Sequence, residues 1–123
     1  MVSYEVYKII HVLGIMILFL SIGALFYTAF NKIQLDKKQK RPWLIMHGVS
    51  LFLILLGGFG LLARIGISGG FPTWVWLKII IWGIFGGLIM LIIKLPQISK
   101  VLYLLTIILG FFAIYIANYK PFL

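Results

Sequence analysis

The stretch that decides the fold is the first apolar segment, Tyr4–Phe30, which reads YEVYKIIHVLGIMILFLSIGALFYTAF. Its charged residues, Glu5 and Lys8, both lie near its start. A helix that crosses a bilayer needs about 20 predominantly apolar residues, so this segment is long enough to do so. We therefore interpret it as the first span of a membrane protein.

Three further apolar segments follow, and we predict spans at about residues 4–30, 43–65, 74–93 and 99–118. Hydrophobic residues make up 63% of the 123-residue chain and charged residues only 11%, against about 25% in soluble domains. Pro42, a residue favoured in a first helical turn, is expected to open the second span. We predict a single all-α domain over residues 1–123, an integral membrane antiparallel four-helix bundle.

Basic residues predict how this bundle is oriented, because cytoplasmic loops carry an excess of Lys and Arg. The loop after the first span and the loop after the third span are both basic, and the remaining connection is short and poorer in charge. We therefore expect both termini outside, in a multi-pass protein of the cell membrane whose basic loops adjoin anionic lipid rather than nucleic acid. The basic loop residues are Lys32, Lys37, Lys38, Lys40, Arg41, Lys94 and Lys100.

Small and weakly polar residues recur three and four positions apart on the predicted helices, as they do where membrane helices pack closely. Such a stripe is expected to face the interior of the bundle. In the first span it contains Tyr7, His11, Gly14, Leu18, Ser21, Leu25 and Thr28; in the second, His47, Ser50, Ile54, Gly57, Leu61 and Arg64.

The candidate functional residues lie at two predicted depths. His11, Lys78 and Arg64 fall in the outer third of the bundle, whereas His47 follows Trp43 by one turn at the cytoplasmic side. At 1.5 Å per residue the two histidines are roughly 20 Å or more apart in depth. We therefore do not expect one haem iron to be held between His11 and His47 of one chain.

Each of these residues has a structural interpretation beside the functional one. His11 could be a neutral ring that bonds a backbone carbonyl or a hydroxyl. Lys78 could extend its ammonium to the membrane surface, although ionisable groups within spans usually mark function. His47 could be satisfied by Tyr103 or Thr106 of the fourth span.

Three segments resemble small multi-span membrane proteins of the SirB, CopD and HemJ types. The first, YKIIHVLGIMILFLSIGALFY, is similar in having a histidine in a K-x-x-H setting. The second, FPTWVWLKIIIWGIFGG, has Trp74 and Lys78 in a G-W-x-x-x-K-like setting. The third, RPWLIMHGVSLFLILLGGFGL, has a histidine early in a span and a glycine-containing run after it.

The resemblance implies cofactors. HemJ-type proteins bind b-type haem and oxidise protoporphyrinogen, and their histidine and lysine would correspond to His11 and Lys78. CopD-like proteins are linked to copper entry. The resemblance therefore implies a possible copper site at Met46, His47 and Met90, because thioether and imidazole groups suit Cu(I). Metal ligation is thus an alternative role for His11, His47 and Met46.

Three functions remain open from the sequence. The first is haem or porphyrin binding through His11, with Lys78 or Arg64 as second ligand or propionate partner. The second is a metal or ion transporter, and the third an accessory subunit of a membrane complex. A hydrolase is disfavoured, because no catalytic triad motif or paired carboxylates occur. In a homodimer, symmetry could bring two His47 or two His11 side chains together.

Overall fold

The computed structural model describes residues 3–66 and 70–119, and within these ranges the chain is entirely helical, without strands. Its four long helices are α1 (Tyr4–Phe30), α2 (Lys37–Arg64), α3 (Thr73–Lys94) and α4 (Ser99–Tyr119). A short 3₁₀ turn, Pro96–Ile98, precedes α4. By length and composition, all four helices are able to cross a membrane.

The start of α2 differs from the predicted second span. The helix begins at Lys37 rather than at residue 43, because Asp36 caps it. The Asp36 Oδ1 accepts a hydrogen bond from the Gln39 N–H at 2.7 Å, and the Asp36 N–H donates to the Gln39 side chain at 3.0 Å. This reciprocal capping box starts the helix within the basic segment. Pro42 consequently lies inside the helix instead of in its first turn.

The described residues divide into two compact units. The first unit comprises α1 as far as Leu25 together with α2. In it, Tyr7 lies against Gly60, His11 against Gly57, and Gly14 against Ile54. Positions rise along α1 as they fall along α2, so the two helices are antiparallel.

The second unit comprises the end of α1, residues 26–33, and the chain from α3 onward. Within it α3 contacts α4. Aromatic rings join the end of α1 to α4: the Tyr103 ring lies 5.3 Å from both the Phe26 and the Phe30 rings, close to perpendicular to each. Edge-to-face packing of this kind is a favoured arrangement of aromatic pairs.

Candidate functional site

The candidate site is built around His11, which α1 places against a glycine-rich part of α2. A Cβ atom added to Gly57 would lie 2.6 Å from the His11 backbone nitrogen, closer than real contacts allow. At Gly58, a Cβ would lie 3.4 Å from Cε1 and 3.5 Å from Nδ1 of the imidazole. Gly57 thus permits the close backbone approach, and Gly58 lies under one edge of the ring.

A hydrogen bond fixes the orientation of the His11 ring. The distance from His11 Nδ1 to the Ile54 carbonyl oxygen is 2.8 Å. A carbonyl oxygen can only accept, so Nδ1 carries the hydrogen and donates it. In the neutral ring the lone pair therefore belongs to Nε2. Histidines that ligate metals typically donate their other ring N–H to a carbonyl or carboxylate in this way.

The neighbouring turns of α1 hold His11 in place. Tyr7, one turn before it, lies over Gly60, where any side chain larger than hydrogen would overlap the tyrosine ring. Gly14, almost one turn after it, approaches Ile54, and a Cβ there would lie 2.9 Å from the Ile54 backbone nitrogen. Three consecutive contacts thus position the imidazole on a closely packed pair of helices.

His47 lies on the same helix pair but at another level. Its side chain is 5% exposed, and Ser50, one turn later, donates from Oγ to the His47 carbonyl oxygen at 2.6 Å. His47 precedes Gly57, the contact of His11, by ten residues, which is about 15 Å along the helix. This separation is shorter than the 20 Å or more predicted, and the two imidazoles still belong to different levels of α2.

The other predicted residues occupy several places. Arg64 is exposed in the last turn of α2, about 10 Å along the axis from Gly57 and on the same side of the helix. Lys78 is half-buried on α3, in the second unit. Met46 is half-buried beside His47, and Met90 is exposed on α3. Roles for Lys78 and Arg64 beside His11 therefore remain predictions.

Acidic and imidazole groups do not gather into a metal centre in the described ranges. Residues 3–66 and 70–119 contain no group of three or more His, Cys, Asp or Glu side chains able to hold a metal ion. A single axial histidine, as in haem ligation, does not need such a group.

A shallow groove follows a different face of α1. It is lined by residues of that helix alone, and His11 is not among them. At 100° per residue, the groove residues centre about 150° away from the face of α1 that contacts α2. The groove and the His11 site are therefore separate features. The lining residues are Tyr4, Glu5, Lys8, Ile9, Val12, Leu13 and Met16.

Sequence reasoning offered a backbone carbonyl as a possible partner of His11, as the structure shows, but it did not name Ile54 and missed two glycines beside the ring. The predicted stripes contained Tyr7, His11 and Gly14, but Gly58 and Gly60 were outside them. The glycine-rich run GGFG, residues 57–60, was the available signal. Comparison with known proteins adds no assignment, since no family model, curated protein or solved structure matches the chain.

Proposed function

We propose that the chain is a multi-pass protein of the cell membrane, an antiparallel bundle of four spans with both termini outside. Four helices of spanning length and the basic residues of the first and third connections support this proposal. The sequence has no cysteine, so single-cysteine variants report topology directly. A membrane-impermeant maleimide is expected to label Ser3→Cys in intact cells, and Gln34→Cys and Gln97→Cys only after permeabilisation. The opposite labelling pattern would refute the orientation.

We further propose that this membrane protein binds b-type haem or a related porphyrin through His11. The observation that carries the proposal is the 2.8 Å bond from His11 Nδ1 to the Ile54 carbonyl. With the hydrogen on Nδ1, the lone pair that would bind the iron is on Nε2, and the bond to Ile54 orients the ring. A haem iron would supply one-electron chemistry. Arg64 is proposed as the partner of a propionate, because guanidinium pairs with carboxylate in two parallel hydrogen bonds.

Haem titration of the purified protein tests this proposal. We expect haemin to produce a Soret band that saturates at one haem per chain. His11→Ala should abolish the band or weaken haem affinity at least tenfold, because the axial bond is lost. His47→Ala is the matched control, because it removes the second histidine of the α1–α2 pair and should leave the band intact. Equal haem binding by wild type and His11→Ala would refute the role of His11.

A second candidate function is that of an accessory subunit, and two glycines of α3 favour it. Gly83 and Gly87 are exposed, and a Cβ added to either meets no described atom within 4 Å. Small residues four positions apart let another transmembrane helix approach closely. A partner that co-purifies in mild detergent with wild type should be lost in Gly83→Ile. Gly23→Ile, on an equally open position of α1, should retain it.

A further inference from the structure

The first turns of α2 carry a concentrated positive charge, in a segment that we name the cationic segment, residues 37–41. It contains four basic side chains, Lys37, Lys38, Lys40 and Arg41. All are exposed except Lys40, which is half-buried. At 100° per residue, the four side chains spread over about 160° of the helix surface. The segment is thus a one-sided helical array of cations rather than part of a loop.

The capping box makes this array helical. The bond from the Gln39 N–H to Asp36 and the return bond to the Gln39 side chain fix the turn that contains Lys37 and Lys38. The Asp36 carboxylate also satisfies a backbone N–H at the start of the helix. The Gln39 N–H is therefore not available to an anion, and the basic side chains are the charged groups that would bind one.

The charge of the cationic segment is not balanced within its own unit. Asp36 is the acid beside it, and the other acid of the chain, Glu5, lies at the start of α1. Because α1 and α2 are antiparallel, Glu5 belongs to the opposite end of this helix pair, about 35 Å away along the axis. Basic residues in a first helical turn are also unfavourable with the helix dipole. Counter-charge must therefore come from outside the protein.

The position of the segment relative to the apolar part of α2 indicates the source of that charge. Trp43, a residue type enriched at membrane interfaces, begins the apolar part of α2 and follows Lys37 by six residues, about 9 Å. This height is that of lipid headgroups. We propose that the cationic segment binds the phosphate groups of anionic phospholipids. The proposal rests on the membrane insertion proposed above and is independent of haem.

Lipid retention by the full-length protein tests the proposal. Protein in mild-detergent micelles is titrated with phosphatidylglycerol or phosphatidylcholine, and bound lipids are counted by native mass spectrometry. Each basic residue near an anionic surface contributes about fivefold in affinity, so Lys37→Gln/Lys38→Gln should weaken phosphatidylglycerol binding about 25-fold. Lys8→Gln removes a positive charge from an exposed residue at the opposite end of the α1–α2 pair and should change phosphatidylglycerol binding less than threefold. Equal retention of both lipids by wild type, or equal losses in both variants, would overturn the proposal.

A second pair of variants separates the helical array from net charge. Asp36→Ala and Asp36→Ser both remove one negative charge, but serine still caps a helix and alanine does not. We expect Asp36→Ala to bind phosphatidylglycerol more weakly than Asp36→Ser, because the array unwinds. Equal affinities would show that charge alone matters and would refute the array. Haem absorbance and membrane fractionation of the same preparations report separately on the His11 site and on insertion.

Discussion

The two units of the molecule bring their helices together in opposite ways. In the first unit, glycines at positions 14, 57 and 60 let the α1 and α2 backbones approach until a histidine ring meets a backbone carbonyl. In the second unit, the rings of Phe26, Phe30 and Tyr103 fill the space between the end of α1 and α4. The close approach of the α1 and α2 backbones brings a polar side chain to a backbone carbonyl. The aromatic rings between α1 and α4 instead favour apolar packing. The site is therefore expected in the glycine-rich unit.

The largest effect is expected from closing the space between α1 and α2. Gly57→Leu would place side-chain atoms where the His11 backbone lies, and should lower the free energy of unfolding by about 3 kcal/mol. The measurement is loss of helicity during titration of mixed micelles with a denaturing detergent. Gly83→Leu, on an open face of α3, is the control and should change stability by less than about 1 kcal/mol. Similar losses in both variants would contradict the close approach at Gly57.

A smaller effect is expected from the aromatic contacts of the second unit. Phe26 is 2% exposed and its ring is 5.3 Å from that of Tyr103. Phe26→Leu removes this ring pair and should lower the free energy of unfolding by about 1.5 kcal/mol in the same titration. Phe112→Leu, at an exposed position of α4, should have little effect. If Phe112→Leu were the more damaging change, the aromatic contacts would not be what stabilises this unit.

Removal of the polar contact should have a similar or smaller effect. His11→Phe retains a ring over Gly58 but cannot donate to the Ile54 carbonyl. Hydrogen bonds between membrane helices contribute about 0.6 kcal/mol on average and up to about 1.7 kcal/mol. We therefore expect about 1 kcal/mol of destabilisation, together with loss of haem binding. Unchanged stability with loss of haem would mean that the bond orients the ring without stabilising the helices.

The smallest effect concerns the end of α1. Lys32 has a φ of 54°, in the left-handed region that favours glycine, and follows the helix after Asn31. Lys32→Gly should therefore raise the free energy of unfolding by about 0.5 kcal/mol. Lys32→Ala removes the same charge without relieving the backbone conformation and should not stabilise. The stability change of each variant is measured by thermal unfolding against wild type. Equal changes in Lys32→Gly and Lys32→Ala would exclude backbone strain at Lys32.

The helices themselves follow from hydropathy, and the structure confirms an all-helical chain with four helices of spanning length. The first apolar segment, predicted at residues 4–30, has the same range as helix α1. Pro42 was expected in the first turn of its helix, but the capping box of Asp36 and Gln39 starts α2 at Lys37 and leaves Pro42 inside it. The Asp36 cap stabilises the helix start by more than the adjacent lysines, Lys37 and Lys38, destabilise it through the helix dipole.

The candidate site was predictable only in part. Helical spacing placed His11, Gly14 and Gly57 on facing stripes, and the structure brings these stripes together. The acceptor of His11 was not predictable, because a helix offers a carbonyl at every residue and sequence spacing does not fix the axial offset between two helices. That offset depends on how deeply each glycine lets the backbones approach. Joint roles for Lys78 and Arg64 remain predictions for the haem experiments.

In the membrane arrangement proposed above, Pro42 has a consequence for how the protein would fit bilayers of different thickness. Proline lacks an N–H, so the Lys38 carbonyl cannot receive the usual bond from four residues later. Helices bend most readily at such a point. The basic residues before Pro42 can therefore change their angle to the apolar part of α2 that follows. In a membrane, bending near Pro42 would accommodate a mismatch between helix length and hydrocarbon thickness away from His11.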